Sequence, residues 1–187
     1  MLGCAALQPS LSRLIDVERS PFRRVHAVFN LVLGLDQPRC GGFLCVTRRL
    51  DNQAYLQALE PTGGPVAVAH VFYPFRANEN DAWFLVNGVP PLIDVDDQRN
   101  LPLAEMRSSA AFAEIHQHYP NVTFWPGGRG RSGPEMSPDG RQIVVGYLLR
   151  DLCHACAIVG RVRYGFDFSA NGRFIGARLV SITPTGQ

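Results

Sequence analysis

The last quarter of the chain places the strongest limit on its fold. Gln142–Arg150, Ala157–Phe168 and Arg173–Ile182 read as three long strands, and Asn171-Gly172 marks a hairpin turn between the last two. In the middle run Val162, Tyr164, Phe166 and Phe168 alternate with Arg161, Arg163 and Asp167. Successive strand side chains point to opposite faces, so this period of two predicts a core face and a wet face. The three runs together predict an antiparallel meander.

Earlier segments mix the two kinds of element. Residues 10–34 read as helix in two pieces, with Ser20 as an N-cap and Pro21 at the first helical position of the second. Phe22, Val25, Phe29 and Val32 then recur at helical spacing, and Gly34 supplies a stop. Asp51 is expected to cap a brief helix over 52–59, ended by Pro61. Val66–Phe75, Trp83–Val86 and Leu92–Val95 read as strands, divided by turns at Asn78-Glu79-Asn80-Asp81 and at Asn87-Gly88 with Pro90-Pro91. Asn100 and Pro102 open a helix that runs to about His118, with Phe112, Ile115 and Tyr119 on one face. After Val122–Trp125, the glycines and prolines of 126–140 predict an exposed loop.

This order is that of an α+β domain, with helices packed on a curved antiparallel sheet that ends in a C-terminal β-meander. It resembles cystatin-like and nuclear-transport-factor-like folds in architecture, a likeness that carries no function with it. At 187 residues the chain is expected to form a flexible N-terminus over 1–9 and a single domain over 10–187.

Four of the five cysteines form tight pairs, Cys40 with Cys45 and Cys153 with Cys156. Three chemistries suit such pairs. Redox catalysis needs a helix after the first cysteine of Cys-x-x-Cys, and the residues after Cys156 read as strand. A zinc site would draw two thiolates from each pair, which lie more than a hundred residues apart. Structural disulfides are the favoured reading, with three connectivities open; cross-pairing of the clusters would contribute roughly 2–4 kcal/mol per long-range bridge. The fifth, Cys4, follows Met1-Leu2-Gly3 in a tetrad like the end of a bacterial lipoprotein signal, although no basic start and apolar stretch precedes it. Lipidation at Cys4 would imply an oxidising compartment and leave an even number of cysteines for disulfides.

The other motifs reduce to simpler readings. All 18 basic residues are arginine, so no Schiff-base or P-loop lysine is available in this chain. Gly128-Arg129-Gly130-Arg131-Ser132-Gly133 matches a dinucleotide fingerprint on paper, but the prolines at 134 and 138 leave no helix to open. Asp94, Asp96 and Asp97 lack the spacing of a calcium loop and suit a capped turn. His116 and His118 lie two apart on a helix and cannot clamp one metal; His26 and His70 read as satisfied core or boundary residues. His154, between two cysteines, reads as an exposed polar tip, with a further metal ligand as the alternative. No H-E-x-x-H or G-x-S-x-G motif occurs.

Arg161 and Arg163 point outward on one strand, and Arg150 and Arg178 fall on its neighbours. If the registers agree they form a basic stripe suited to an anionic partner; the alternative is a solvated face neutralised by Asp151 and Asp167. The expected function is a non-enzymatic binding or assembly module of the bacterial cell envelope or periplasm, meeting a protein or an anionic envelope component and needing no cofactor. The net charge of +2 is too small to argue for nucleic acid, and no apolar run approaches the roughly 20 residues of a membrane helix. Two alternatives stand beside it. One is a small α+β enzyme with a pocket between the helices and the concave sheet. The other is a cytoplasmic interaction domain in which zinc joins Cys40, Cys45, Cys153 and Cys156.

Overall fold

The computed structural model of the chain describes residues 53–77, 79–127 and 134–185, all within the compact unit Val46–Gln187. The helices expected over 10–34, Cys4, Cys40, Cys45 and the glycine-rich fingerprint at 128–133 lie outside the described residues. Strands β1 (Tyr55–Pro61), β2 (Ala67–Phe72), β3 (Asp81–Val86) and β4 (Leu92–Asp94) form one antiparallel sheet in chain order. A 3₁₀ turn at Gln98–Asn100 leads into α1 (Leu103–Ser108) and α2 (Ala110–His118). The second antiparallel sheet holds β5 (Val122–Trp125), β7 (Gln142–Asp151), β8 (Ile158–Phe168) and β9 (Phe174–Pro184) in that order, with the short β6 (Glu135–Met136) also paired to β7. The α+β class, the curled antiparallel sheet and the C-terminal meander are as the alternation predicts.

Two expectations need correction. The helix expected over 52–59 is strand β1. Leu56 and Leu59, three apart as on a helix, both bury because a bulge between Leu56 and Ala58 inserts one residue between them. Leu56 then pairs with Val71 and Leu59 with Ala69, so the two share one face of the sheet. The helix expected to run unbroken to His118 is interrupted at Ser109, whose backbone is extended (φ −75°, ψ 147°). The Ser109 hydroxyl donates to the Met106 carbonyl at 2.7 Å and accepts from the Phe112 N–H at 3.2 Å. It closes α1 and caps α2, the local bonding that makes serine a weak helix-interior residue.

The core lies between the sheets and under the helices. Val162, Tyr164, Phe166 and Phe168 of β8 meet Ile143, Val145, Tyr147 and Leu149 of β7. Val68, Leu85 and Ile93 join from the first sheet, and Met106 and Ile115 from the helices. Phe124, Tyr147 and Tyr164 pack as a ring cluster with centroids 5.2–6.2 Å apart, a spacing that favours tilted and edge contacts. The two tyrosines of this cluster differ in one respect. The Tyr147 hydroxyl donates to the Val95 carbonyl at 2.6 Å, whereas the fully buried Tyr164 hydroxyl has no hydrogen-bond partner among the described residues.

Burial pushes the Tyr164 phenol up to about 12, with the Glu105 carboxylate adding to the rise and Arg107 opposing it. The unfolded chain releases this proton near pH 10 and the folded one near 12. Between those values the unfolded state binds fewer protons, so the tyrosine subtracts stability as pH rises, on the order of 2 kcal/mol by the top of the window. Tyr164→Phe should therefore be neutral or stabilising by about 1 kcal/mol near pH 7, since it removes an unpaired buried hydroxyl. Its urea midpoint should also fall less steeply than wild type above about pH 10. Loss of about 1 kcal/mol at neutral pH would mean that the hydroxyl is bonded in solution.

Candidate functional site on the outer face of the C-terminal sheet

With Val162, Tyr164, Phe166 and Phe168 turned inward, the opposite side of β8 presents Arg161, Arg163, Gly165 and Asp167. The registers settle what lies beside them. Arg161 is paired between Leu148 and Thr183, Arg163 between Gly146 and Ser181, and Gly165 between Val144 and Arg178. Leu148 in turn pairs with Trp125 of β5 and Arg150 with Thr123. Arg150, Arg161, Arg163 and Arg178 therefore share this one outer face. They are not laid out as a bare stripe. Arg163 forms an ion pair with Glu135, and the Arg178 Nε donates to Asp167 at 2.8 Å. Arg150 Nη1 donates to the Cys156 carbonyl at 2.8 Å. Asp167, expected as a neutralising partner, has that role; Glu135 was not anticipated, because it sits on a two-residue strand inside the loop read as irregular.

Both ion pairs are surface pairs, worth at most about 1 kcal/mol each. The middle of the face is hollow. Gly146 leaves a depression of about 230 Å³ whose rim is Glu135, Arg161, Arg163 and Thr183. The rim thus sets two guanidinium groups and a hydroxyl beside the Glu135 carboxylate, which is paired with Arg163.

At one end of this face stands the turn between β7 and β8, where Cys153 and Cys156 form a disulfide. The bridge lies within the second cysteine cluster and not across the two clusters. A ring of this size is worth at most about 2 kcal/mol on loop entropy, the low end of the range expected for long-range bridges. Leu152, the residue before it, is exposed in the left-handed region (φ 73°), with its N–H on the Asn121 carbonyl at 3.1 Å.

His154 is not the solvated tip expected of it. Its ring packs on Trp125 with centroids 5.1 Å apart, and its Nε2 lies 3.2 Å from Glu79 Oε1. The same Glu79 oxygen accepts the Trp125 indole N–H. The Gly127 N–H donates to Asp96 at 3.0 Å beside it, and a Cβ at Gly127 would lie 2.9 Å from Glu79 Oε2. Glu79, Trp125 and His154 come from three segments separated by 46 and 29 positions, and nothing in their local sequence signals the meeting.

The other candidates fall to structural roles. Asp97 caps the 3₁₀ turn and binds Arg99, whose hydrogen bonds hold its carboxyl below the usual carboxylate range. Asp94 accepts from the Asp96 N–H at 2.9 Å, as a turn-closing aspartate does. His70 pairs with Asp81 at 2.9 Å and stacks on Trp83. His118 Nδ1 lies 3.0 Å from the Glu114 carbonyl. Among the described residues no group of three or more His, Cys, Asp or Glu is placed to hold a metal ion. Among known proteins, no family model, no curated sequence and no solved structure matches the chain.

Proposed function

We propose that the protein is a non-enzymatic binding or assembly module of the bacterial cell envelope, and that the outer face of its C-terminal sheet receives a phosphate- or carboxylate-bearing component of that envelope. The observation that carries this reading is that Arg150, Arg161, Arg163 and Arg178 share one face, with Arg161 and Arg163 on the rim of the hollow at Gly146. The disulfide supports the compartment, since such bonds persist in oxidising surroundings. No helix among the described residues is long and apolar enough to cross a membrane. Attachment at Cys4 would supply anchorage in this reading.

Each alternative meets an obstacle. An enzyme with its pocket beneath the helices would draw on a buried ionisable group such as Tyr164. Its phenol keeps its proton to about 12, it is packed among Phe124 and Tyr147, and neither described hollow opens onto it. The zinc-bound alternative needs the sulfurs of Cys153 and Cys156 as thiolates, and the disulfide occupies both.

The test is co-sedimentation with phosphatidylglycerol vesicles and, separately, retention on immobilised polyphosphate. Wild-type protein should bind at least one of them at low ionic strength and release as salt rises from about 0.05 M to about 0.5 M. Arg161→Gln with Arg163→Gln should abolish retention while lowering the unfolding free energy by no more than about 1 kcal/mol, the most that the lost Arg163–Glu135 surface pair is worth. Binding to vesicles alone would identify a lipid surface, and binding to polyphosphate alone a soluble or wall-borne polymer. Failure to bind either at low salt would overturn the proposal.

A further inference from the structure

The Cys153–Cys156 bridge joins no elements that are otherwise apart, because β7 and β8 are already paired along their length. It does confine the two residues inside its ring, His154 and Ala155. That histidine lies on Trp125 and beside Glu79, so the bridge, the imidazole, the indole and the carboxylate form one connected unit. The turn is also reachable: Cys153 is exposed and Cys156 half-buried. Arg150 donates to the Cys156 carbonyl, and its own buried Nε has no hydrogen-bond partner among the described residues.

We propose that Cys153–Cys156 is a reversible thiol–disulfide site for a dithiol reductant, and that its state decides whether His154 is held on Trp125 and Glu79. A thiolate of the dithiol attacks the exposed Cys153 sulfur. The Sγ–Sγ bond breaks, and a mixed disulfide forms while Cys156 leaves as the thiolate. The second thiol of the dithiol then displaces Cys153. Two electrons and two protons have passed to the protein as two thiols, and the reductant departs as its own disulfide. The open turn no longer confines His154. This inference uses the disulfide and the contacts of His154 alone, and it holds whichever anion the outer face takes.

The chain has two tryptophans, and Trp83 stacks on His70, so Trp83→Phe leaves Trp125 as the single reporter. Dithiothreitol added under native conditions should make Cys153 and Cys156 alkylatable, with far-UV circular dichroism unchanged. Trp125 emission should shift on reduction and return on reoxidation. Cys153→Ser with Cys156→Ser should sit at the reduced level from the start and ignore dithiothreitol. His154→Ala should abolish the response while leaving the bridge reducible. Should Trp83→Phe not fold, the Trp125 indole N–H resonance of wild-type protein gives the same readout. Three results would each overturn the proposal: a bridge that resists dithiothreitol until the protein unfolds, reduction that unfolds the domain, or reduction that leaves the Trp125 signal in place.

Discussion

Gly140→Ala is expected to destabilise the domain by about 3 kcal/mol, although the change adds a single methyl group. Gly140 sits at φ 64°, where a Cβ costs roughly 1–2 kcal/mol against the following carbonyl. That Cβ would also lie 2.5 Å from both the Gly64 nitrogen and the Thr62 carbonyl oxygen. These are backbone atoms of the β1–β2 hairpin and cannot swing aside as a side chain does, so relieving the overlap costs a further 1–3 kcal/mol, roughly, as overpacking does. The contact is well tied. Thr62, a buried polar residue, donates its hydroxyl to the Val66 carbonyl at 2.6 Å and lies 3.5 Å from that of Gly140. Gly63→Ala is the matched control. Its φ is 80°, but its Cβ would approach nothing closer than 3.9 Å, so it should cost only the conformational part, about 1 kcal/mol. Urea unfolding of the two variants reads the difference directly. Equal losses would show that the approach of the hairpin to Gly140 is looser in solution than the structure has it.

Phe166→Ala should cost about 4 kcal/mol. Phe166 is wholly buried on the core face of β8, 6.1 Å from the Phe174 ring, and paired between Ile143 and Ala177. Removing the ring forfeits its transfer energy and leaves a cavity that two flanking strands in register cannot collapse to fill. Its neighbours Gly165 and Asp167 face the other way, so anion binding by the outer face should survive wherever the variant remains folded. A loss below about 1.5 kcal/mol would mean that the core repacks around the gap, as volume-conserving swaps allow. The measurement is the urea midpoint, with the m-value checked for constancy.

The meander was legible because its information is local. Alternation along β8 assigns Tyr164 and Phe166 to the core and Arg161 and Arg163 to solvent with no knowledge of the partners. The turn at Asn171-Gly172 needs only a glycine able to take φ 78°. Reading failed where local periods mislead. The bulge after Leu56 gives a strand the i, i+3 spacing of a helix, and Ser109 cuts a helix whose apolar face continues on either side of it. The candidate face was half legible. The arginines were visible in the sequence; their register was not, nor was Glu135, which reaches Arg163 from a strand of two residues.

The sequence by itself determined which residues turn inward in the C-terminal sheet, because side-chain direction in a strand follows from position and hydrophobic burial does the rest. It also determined that Cys153 and Cys156 stand close enough to share a bond, being three apart in one turn. Only the tertiary structure decided that Glu79, Trp125 and His154 meet, that the four arginines lie on one face, and that Tyr164 has no partner among the described residues where Tyr147 finds Val95. These outcomes depend on strand register and on how the sheets pack. Register is set by the sum of many weak side-chain contacts between distant segments, and no residue carries that sum in its own sequence neighbourhood.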